Sequence, residues 1–371
     1  MVSVTFKRCA GQKRVLAADM AVMAGRPGEE NDGVTAADRP EEPVAWLERL
    51  RGPGKADPAG IARDLAWLAG PGRMLLTADD PRYPRQLAAV PGMPPALFVE
   101  GDPSHLARPQ VAIVGSRAAT ATGREVAFDF AAQLAAHGYA ITSGLAAGID
   151  AAAHRGALAA GGITIAVCGT GLDRVYPAEH RELADRIAAA GSLVSEFPTA
   201  TPPAAHNFPQ RNRLMSGLSR GVLVIEAASR SGSLITARLA GEQGREVMAV
   251  PGSIHNPLAR GCHRLIKDGA ALVETVDDVL AALGESGFES TTNSASEGGL
   301  FAKNPGGTLD SDAEMLLNAL GFEPTGLDRL VERTGLAARS VISKLQLLEL
   351  EGRVESLAGG QYSRTTARQG R

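Results

Sequence analysis

A glycine, a hydroxyl and an arginine directly follow one apolar run of the chain. Gly115, Ser116 and Arg117 come after Val111–Val114, and a helical pattern begins a few residues later. Glycine lets a ligand approach the backbone, N–H groups at a helix start favour an anion, and a guanidinium forks onto phosphate. These residues predict an anion-binding turn. An ordinary strand–helix turn with a solvated arginine is the alternative.

An aspartate and a histidine stand four residues apart after the glycine-rich segment 143–148. Asp150 and His154 share one face of a predicted helix, where such a pair can hold a metal or exchange a proton. No third ligand is evident in the sequence. We therefore favour a structural interpretation, in which Asp150 caps its helix and His154 packs or pairs nearby. The sequence predicts neither a metal site nor a cofactor.

Two further segments combine cations with aromatic rings. Segment 169–177 contains Arg174 and Tyr176, and a later stretch reads Phe208-Pro-Gln-Arg211-Asn212-Arg213. Two arginines flanking an amide, three residues after an aromatic ring, suit phosphates and one stacked or hydrogen-bonded base. A charged, solvated helix start is the alternative. This alternative is weakened because the residues that follow Arg213 are mostly apolar. They suggest that the arginines are half-buried, and half-buried arginines need partners.

A last loop, Ser231-Gly232-Ser233, follows the apolar run Val222–Ile225 and is a second candidate anion cradle. The familiar nucleotide signals are absent. No Gly-x-x-x-x-Gly-Lys-Ser/Thr occurs, and the dinucleotide fingerprint fails because Gly123 is the next glycine after Gly115. Repeated anion sites and loop aromatics, without an evident nucleophile–base pair, describe a single-stranded nucleic acid better than one small ligand.

Composition limits the remaining possibilities. The 371 residues carry a formal charge of -3, although residues 201–267 hold nine Arg and Lys against three acids. Three scattered cysteines exclude a disulfide framework and a Cys-rich zinc site. Asp19 interrupts the apolar stretch near the start, and the uncharged run of residues 156–172 is too short to span a membrane. We expect a cytoplasmic protein.

The elements that must position these loops follow from the apolar pattern. Six short apolar runs lack polar alternation, as in parallel strands buried on both faces: Val111–Val114, Ala140–Ser143, Ile163–Val167, Leu193–Ser195, Val222–Ile225 and Val247–Val250. Helical stretches separate them, which predicts a doubly wound, mostly parallel α/β sheet with ligands beyond the carboxyl ends of its strands.

The predicted organisation has five parts. They are a disordered segment or extension at 1–42, a short helical region at 43–78, the α/β domain at 79–284, a flexible linker at 285–310 and a winged-helix-like unit at 311–371.

These strings together resemble the DNA-processing protein A family (DprA/Smf). The resemblance rests on VAIVGSR, TSGLAAGIDAAAH, TIAVCGTGLDRVYP, FPQRNRLMSGL, SGSLITA and VPGS, in this order over about residues 79–283. It implies an extended Rossmann-like domain that binds single-stranded DNA without sequence preference. It further implies a homodimer that protects incoming DNA during natural transformation, and that loads the RecA recombinase onto DNA coated by single-strand-binding protein. Members are not known as enzymes.

By position, the resemblance implies a set of DNA-binding residues. They are Gly115, Ser116, Arg117, Arg174, Phe208, Arg211, Asn212, Arg213, Ser231, Gly232 and Ser233.

Two other interpretations stay open. A related Rossmann-like enzyme that cleaves phosphoribosyl groups from nucleotides would use Glu226 as acid and the Ser231 turn as cradle, although its Pro-Gly-Gly-x-Gly-Thr-x-x-Glu motif is lacking. A transcription regulator would read duplex DNA with the winged helix. Its third helix offers only Arg339 and Lys344 as cations in the stretch 337–345, so a protein-contact role for this unit is at least equally favoured.

Overall fold

The computed structural model describes residues 43–51, 57–87, 90–285, 311–321, 324–357 and 359–365. Predicted segment 1–42, and the predicted linker apart from Glu285, lie outside the described residues. The strands are β1 Arg73–Thr77, β2 Ala96–Gly101, β3 Gln110–Gly115, β4 Ala140–Ser143, β5 Thr164–Val167, β6 Ser192–Ser195, β7 Gly221–Ile225, β8 Glu246–Ala249, β9 Ala271–Leu272, β10 Thr325–Gly326, β11 Val354–Leu357 and β12 Gln361–Arg364.

The α-helices are α1 Pro43–Arg51, α2 Pro58–Leu68, α3 Ala121–Ala136, α4 Ile149–Ala159, α5 Arg181–Ala190, α6 Asn207–Leu218, α7 Ser233–Glu242, α8 Arg260–Lys267, α9 Val276–Ala282, α10 Ser311–Leu320, α11 Leu327–Thr334 and α12 Ala338–Leu350. From β3 to α9 they alternate with the strands. Within the described ranges, none of them is long and apolar enough to cross a bilayer.

Nine strands form one sheet in the order β1-β2-β6-β5-β4-β3-β7-β8-β9. All neighbours from β6 to β9 are parallel, whereas β1 and β2 extend the sheet as antiparallel strands. The chain winds outward in one direction from β3 to β6 and in the other from β7 to β9. The strand order therefore reverses between β3 and β7, where ligands of such sheets bind.

Both faces of the sheet are buried, which explains the unbroken apolar runs. Val111 and Ile113 of β3 pack into the core on one face, and Ala112 and Val114 pack into the core on the other. Because successive side chains of a strand point to opposite faces, a strand covered on both sides carries no polar alternation.

The predicted fold class is confirmed, and each of the six apolar runs overlaps one of the strands β3 to β8. The sequence reasoning missed three strands of the large sheet. The edge strand β1 has a polar residue at each end, β2 beside it has four apolar residues before Glu100, and the edge strand β9 has only two residues.

The C-terminal unit is a winged helix, in which α10, α11 and α12 pack against a small sheet ordered β10-β12-β11. Its core includes Leu316, Leu330 and Val341. The unit docks on α3 through Arg333, whose Nε and Nη2 donate to the two carboxylate oxygens of Glu125 at 2.9 and 2.8 Å. Its side chain is only 7% exposed, so this ion pair is largely shielded from water.

Candidate nucleic-acid interface

The first loop of the site leaves β3 at the point where the strand order reverses. A Cβ on Gly115 would lie 1.9 Å from the carbonyl oxygen of Ile225 in β7 and 2.5 Å from the Ile149 side chain. Only glycine fits this close approach. Ser116 then donates its N–H to the Glu226 carbonyl at 2.7 Å and is buried, so the backbone before Arg117 is tied to the neighbouring strand end.

A second glycine brings the loop after β4 against the first. Gly148 has a φ of +78°, and a Cβ there would lie 2.2 Å from the carbonyl oxygen of Ser116. That oxygen also accepts the N–H of Ile149, the first residue of α4, at 3.2 Å. The backbone of the Arg117 loop is therefore held on two sides, while the Arg117 side chain stays exposed.

Arg117 lies over an aromatic ring supplied by α6. Its Cζ is 5.2 Å from the centroid of the Phe208 ring, within the range of a cation–π contact. The Tyr176 ring lies on another side of Phe208, at 5.9 Å between centroids and tilted by 45°. Phe208 itself packs against Gly169, where a Cβ would approach the ring to 3.2 Å.

This cluster of Arg117, Phe208 and Tyr176, here called the aromatic platform, offers exposed ring surface beside a cation. Tyr176 is 47% exposed. The sequence placed it near Arg174 but not among the DNA-binding residues. The sequence signal that could have identified Tyr176 as a site residue is an aromatic residue close to a cation, Arg174. The exposed Tyr176 ring and the half-buried Phe208 ring, with an adjacent guanidinium, suit the stacking of a base whose phosphate pairs with the cation.

Arg211 lies beneath the aromatic platform rather than on it. Its guanidinium carbon is 5.9 Å from the Phe208 centroid, and the residue is only 4% exposed. Nη1 donates to the Val167 carbonyl at 3.1 Å at the end of β5. A Cβ on Gly144 would fall 1.6 Å from Nη1, so this glycine makes room for the guanidinium.

A buried carboxylate accompanies the buried arginine. The Asp150 carboxylate accepts N–H bonds from Gly144 at 3.1 Å and from Ala146 at 3.4 Å. Burial raises the pKa of Asp150, and the charges of Arg211 and Arg117 oppose that shift. Burial likewise lowers the pKa of Arg211, against the attraction of Asp150. The carboxylate thus serves as the counter-charge of the guanidinium.

Arg213, two residues after Arg211 in α6, lies on another side of the helix. Arg213 forms a short ion pair with Glu196, and both side chains are mostly buried. Burial raises the pKa of Glu196, and the charge of Arg213 opposes it. Residues two apart on a helix point in nearly opposite directions, so Arg211 and Arg213 face different surroundings. Asn212, between them, is 8% exposed.

The remaining predicted residues lie at the carboxyl ends of other strands. Arg174 follows β5 and pairs with Asp173 at 3.3 Å, with 39% of its side chain exposed. Ser231 and Ser233 follow β7, and their hydroxyl oxygens are 2.7 Å apart, with Gly232 exposed between them. The sheet order places these two loops on opposite sides of the Arg117 loop.

The Asp150–His154 pair does not form a metal site or a proton-exchange pair. His154 is fully buried, and its Nδ1 lies 2.7 Å from the Thr164 hydroxyl. The predicted helix cap is wrong in detail, because Gly148 occupies the cap position and Asp150 binds N–H groups of the preceding loop. In the described ranges, no group of three or more His, Cys, Asp or Glu side chains could hold a metal.

Glu226, the acid in the alternative enzymatic interpretation, already accepts hydrogen bonds from neighbouring residues. Its carboxylate accepts the Thr120 N–H at 2.8 Å and the Thr120 hydroxyl at 2.6 Å. It also accepts a hydrogen bond from Asn256 Nδ2 at 3.1 Å. These bonds hold the start of α3 to the loops that follow β7 and β8. The geometry therefore assigns Glu226 a structural contact.

Replacing Arg211 tests the buried charge pair. Arg211→Met leaves Asp150 buried without its counter-charge, so we expect a loss of about 3–5 kcal/mol in the free energy of unfolding. Chemical denaturation measures it. The control Arg220→Met removes an arginine with 51% side-chain exposure, and its cost is about 1 kcal/mol or less. Equal losses in the two variants would refute the pair.

Replacing His154 tests its burial in the neutral form. Burial lowers the pKa of His154 to about 3, whereas the unfolded chain has a value of about 6.5. The unfolded state therefore binds the proton first, and stability that is present above about pH 6.5 declines as the pH falls toward 3.

Between about pH 7.5 and about pH 5, this proton linkage removes about 2 kcal/mol of unfolding free energy. We expect His154→Gln to be less pH-sensitive by that amount, and the exposed control His255→Gln to keep the original slope. Denaturant titrations at several pH values measure it, and identical slopes in all three proteins would contradict the assignment.

Comparison with known proteins covers most of the chain. The family model described as DNA recombination-mediator protein A matches residues 74–284, and the DprA winged helix domain matches residues 302–360. Protein Smf of Escherichia coli (strain K12) is 46% identical over 301 residues, which cover 81% of this chain and 80% of that protein.

Two solved structures are also similar. DNA processing protein A from Streptococcus pneumoniae has a TM-score of 0.57 and 43% identity, covering 61% of this chain and 77% of that one. DNA processing protein A from Helicobacter pylori, described for its single-stranded DNA binding mode, has a TM-score of 0.52 and 28% identity, covering 57% and 96%. With the first family model matching more than half of its residues, the chain belongs to the DNA recombination-mediator protein A family.

Proposed function

We propose that this protein binds single-stranded DNA without sequence preference at the carboxyl edge of its sheet. The observation that carries the proposal is the aromatic platform, in which the exposed Arg117 guanidinium lies 5.2 Å over the Phe208 ring and Tyr176 lies beside it. The Helicobacter pylori relative, named for its single-stranded DNA binding mode, supports it. Every base has a stacking face, so such a surface binds without reading sequence.

At the aromatic platform, the proposed site contains one exposed arginine and one buried arginine. Arg117 is exposed and can pair with a phosphate, whereas Arg211 is buried beneath the ring, where Asp150 opposes its charge. At the carboxyl edge of the sheet, the loop Ser231–Ser233 lies on the β7 side of Arg117, and Arg174 lies on its β5 side. These outer loops are proposed phosphate contacts that position the strand.

Arg117→Ala tests the phosphate contact. We expect the affinity for a fluorescent oligothymidine to fall about tenfold or more, because a charge-assisted hydrogen bond is lost. The slope of log affinity against log salt should decrease in magnitude by about 0.7. Fluorescence anisotropy over a salt series measures both. The matched control is Arg108→Ala, an exposed arginine just before β3 and so at the opposite edge of the sheet.

Phe208→Leu, measured in the same assay, separates stacking from charge. Leucine keeps apolar packing near Gly169 but removes the ring, so affinity should fall roughly 5- to 150-fold with the salt slope unchanged. The site assignment fails if neither variant weakens binding, or if Arg108→Ala weakens it as much as Arg117→Ala. Duplex binding that survives both changes would move the DNA contact to the winged helix.

We further propose that the protein acts in the cytoplasm as a homodimer that protects incoming DNA and loads RecA during natural transformation. The proposal rests on family membership and on the resemblance of the site strings. It includes no enzymatic activity, and the engagement of Glu226 by Thr120 and Asn256 supports that view against a nucleotide-processing reaction. Single-strand-binding protein is the partner displaced from the DNA.

ATP hydrolysis by RecA on oligothymidine coated with single-strand-binding protein tests the loading step. Adding this protein should shorten the lag before hydrolysis, because DNA held at the platform is passed to RecA. Arg117→Ala should restore the lag, and Arg108→Ala should not. A protein that binds the bare oligonucleotide but leaves the lag unchanged would refute RecA loading alone. Light scattering on this protein alone reports whether its mass is that of two chains.

A further inference from the structure

The winged helix is fastened to the helix that begins just after the Arg117 loop. Arg333 of α11 donates from Nε and Nη2 to the carboxylate of Glu125 in α3, and from Nη1 to the Ala319 carbonyl of α10 at 2.8 Å. Its side chain is only 7% exposed, and that of Glu125 is 24% exposed. One mostly buried guanidinium therefore joins α10, α11 and α3.

This contact lies at the first turn of α3. Nη2 of Arg333 donates to the Thr122 hydroxyl at 3.4 Å. A Cβ on Gly321, which directly follows α10, would lie 3.9 Å from the side chains of Thr120 and Thr122. Thr120 caps α3 and stands three residues after Arg117 in the chain. The winged helix therefore packs beside the turn that leaves the Arg117 loop.

Hydrogen bonds continue from this turn to the Arg117 loop through Glu226. The Glu226 carboxylate accepts the N–H and the hydroxyl of Thr120 at 2.8 and 2.6 Å. The backbone carbonyl of the same residue accepts the Ser116 N–H at 2.7 Å. Ser116 directly precedes Arg117, so Glu226 bridges the start of α3 and the backbone that carries the exposed guanidinium.

Little space is left for α3 to shift independently of this bridge. Glu226 has a φ of +51°, a left-handed conformation in which a non-glycine residue is held by its surroundings. A Cβ on Gly123, in the first turn of α3, would lie 2.4 Å from the Glu226 carboxylate. Arg124 Nη1 also donates to the Ala119 carbonyl at 2.5 Å. A displacement of the α3 start would therefore be passed to the Arg117 loop.

We propose that the docked winged helix holds the Arg117 loop in its DNA-binding geometry, with Arg333 as a positioning residue. This role rests on the proposed function, because it concerns the same aromatic platform. Arg333 contacts protein groups with all three nitrogens of its guanidinium and is mostly buried, so it acts through α3 rather than on DNA. Since docking favours DNA binding, DNA binding must favour docking by the same factor.

Arg333→Gln tests the positioning role in the oligothymidine anisotropy assay on the full-length protein. The affinity should fall about fivefold or more, which is the lower end of common couplings between sites. The slope of log affinity against log salt should stay unchanged, because no phosphate contact is lost. Arg117→Ala, in contrast, lowers the magnitude of that slope. The matched control is Arg329→Gln in the same helix, whose 63% exposed side chain pairs with Glu125 at 3.2 Å and should have little effect.

Glu125→Gln removes the same ion pair from the α3 side and leaves the winged helix unaltered. It should reproduce the loss of affinity, so a fall in both variants does not come from a misfolded C-terminal unit. Hydrogen exchange measures the reciprocal effect. Saturating oligothymidine should slow amide exchange in α10 and α11 of the unaltered protein but not in Arg333→Gln. Protection that persists in the variant would indicate direct DNA contact with the winged helix and would overturn the positioning role.

The positioning role is also overturned if Arg333→Gln and Glu125→Gln bind oligothymidine as tightly as the unaltered protein. The same holds if the DNA leaves exchange in α10 and α11 of the unaltered protein unchanged, or if the salt slope falls in Arg333→Gln as it does in Arg117→Ala. In each of these cases, the expected losses in Arg117→Ala and Phe208→Leu leave the proposed function standing. If those two variants bind normally, the proposed function fails, and the positioning role fails with it.

Discussion

A guanidinium that water scarcely reaches underlies the aromatic platform. Arg211 is 4% exposed beneath Phe208, and it joins three elements at once, because it donates to the end of β5, belongs to α6 and faces the Asp150 carboxylate of α4. An uncompensated charge at this depth would be costly. The N–H groups of Gly144 and Ala146 in turn satisfy the carboxylate. The Phe208 ring therefore lies over a buried guanidinium whose charge is opposed by the buried Asp150 carboxylate.

Above this charge, the Arg117 loop is fixed by contacts between backbones. Gly115 allows β3 to lie against the end of β7, and Gly148 allows the loop after β4 to reach the Ser116 carbonyl. A loop held on both sides loses little further freedom when a ligand binds, so more of the contact energy remains as affinity. The exposed Arg117 side chain is thus carried by a turn whose backbone is fixed.

The same region carries the C-terminal unit. Helix α3 follows the Arg117 loop directly, and Glu125 on that helix receives Arg333 of the winged helix. The exposed surface of α12 includes Ile342, Leu347 and Leu350, which are 38%, 57% and 86% exposed. Apolar residues on this face offer no charge to duplex phosphates.

The sequence by itself determined the six central strands and the edge at which the site forms. Strands covered on both faces must be continuously apolar, and loops after parallel strands must meet at one edge. It also indicated Arg117 and Phe208 as neighbours in function. Only the tertiary structure decided that Arg211 is buried under the ring while Arg213 pairs with Glu196. Both arginines stand in one short motif, and their partners come from distant parts of the chain, so local pattern cannot distinguish them.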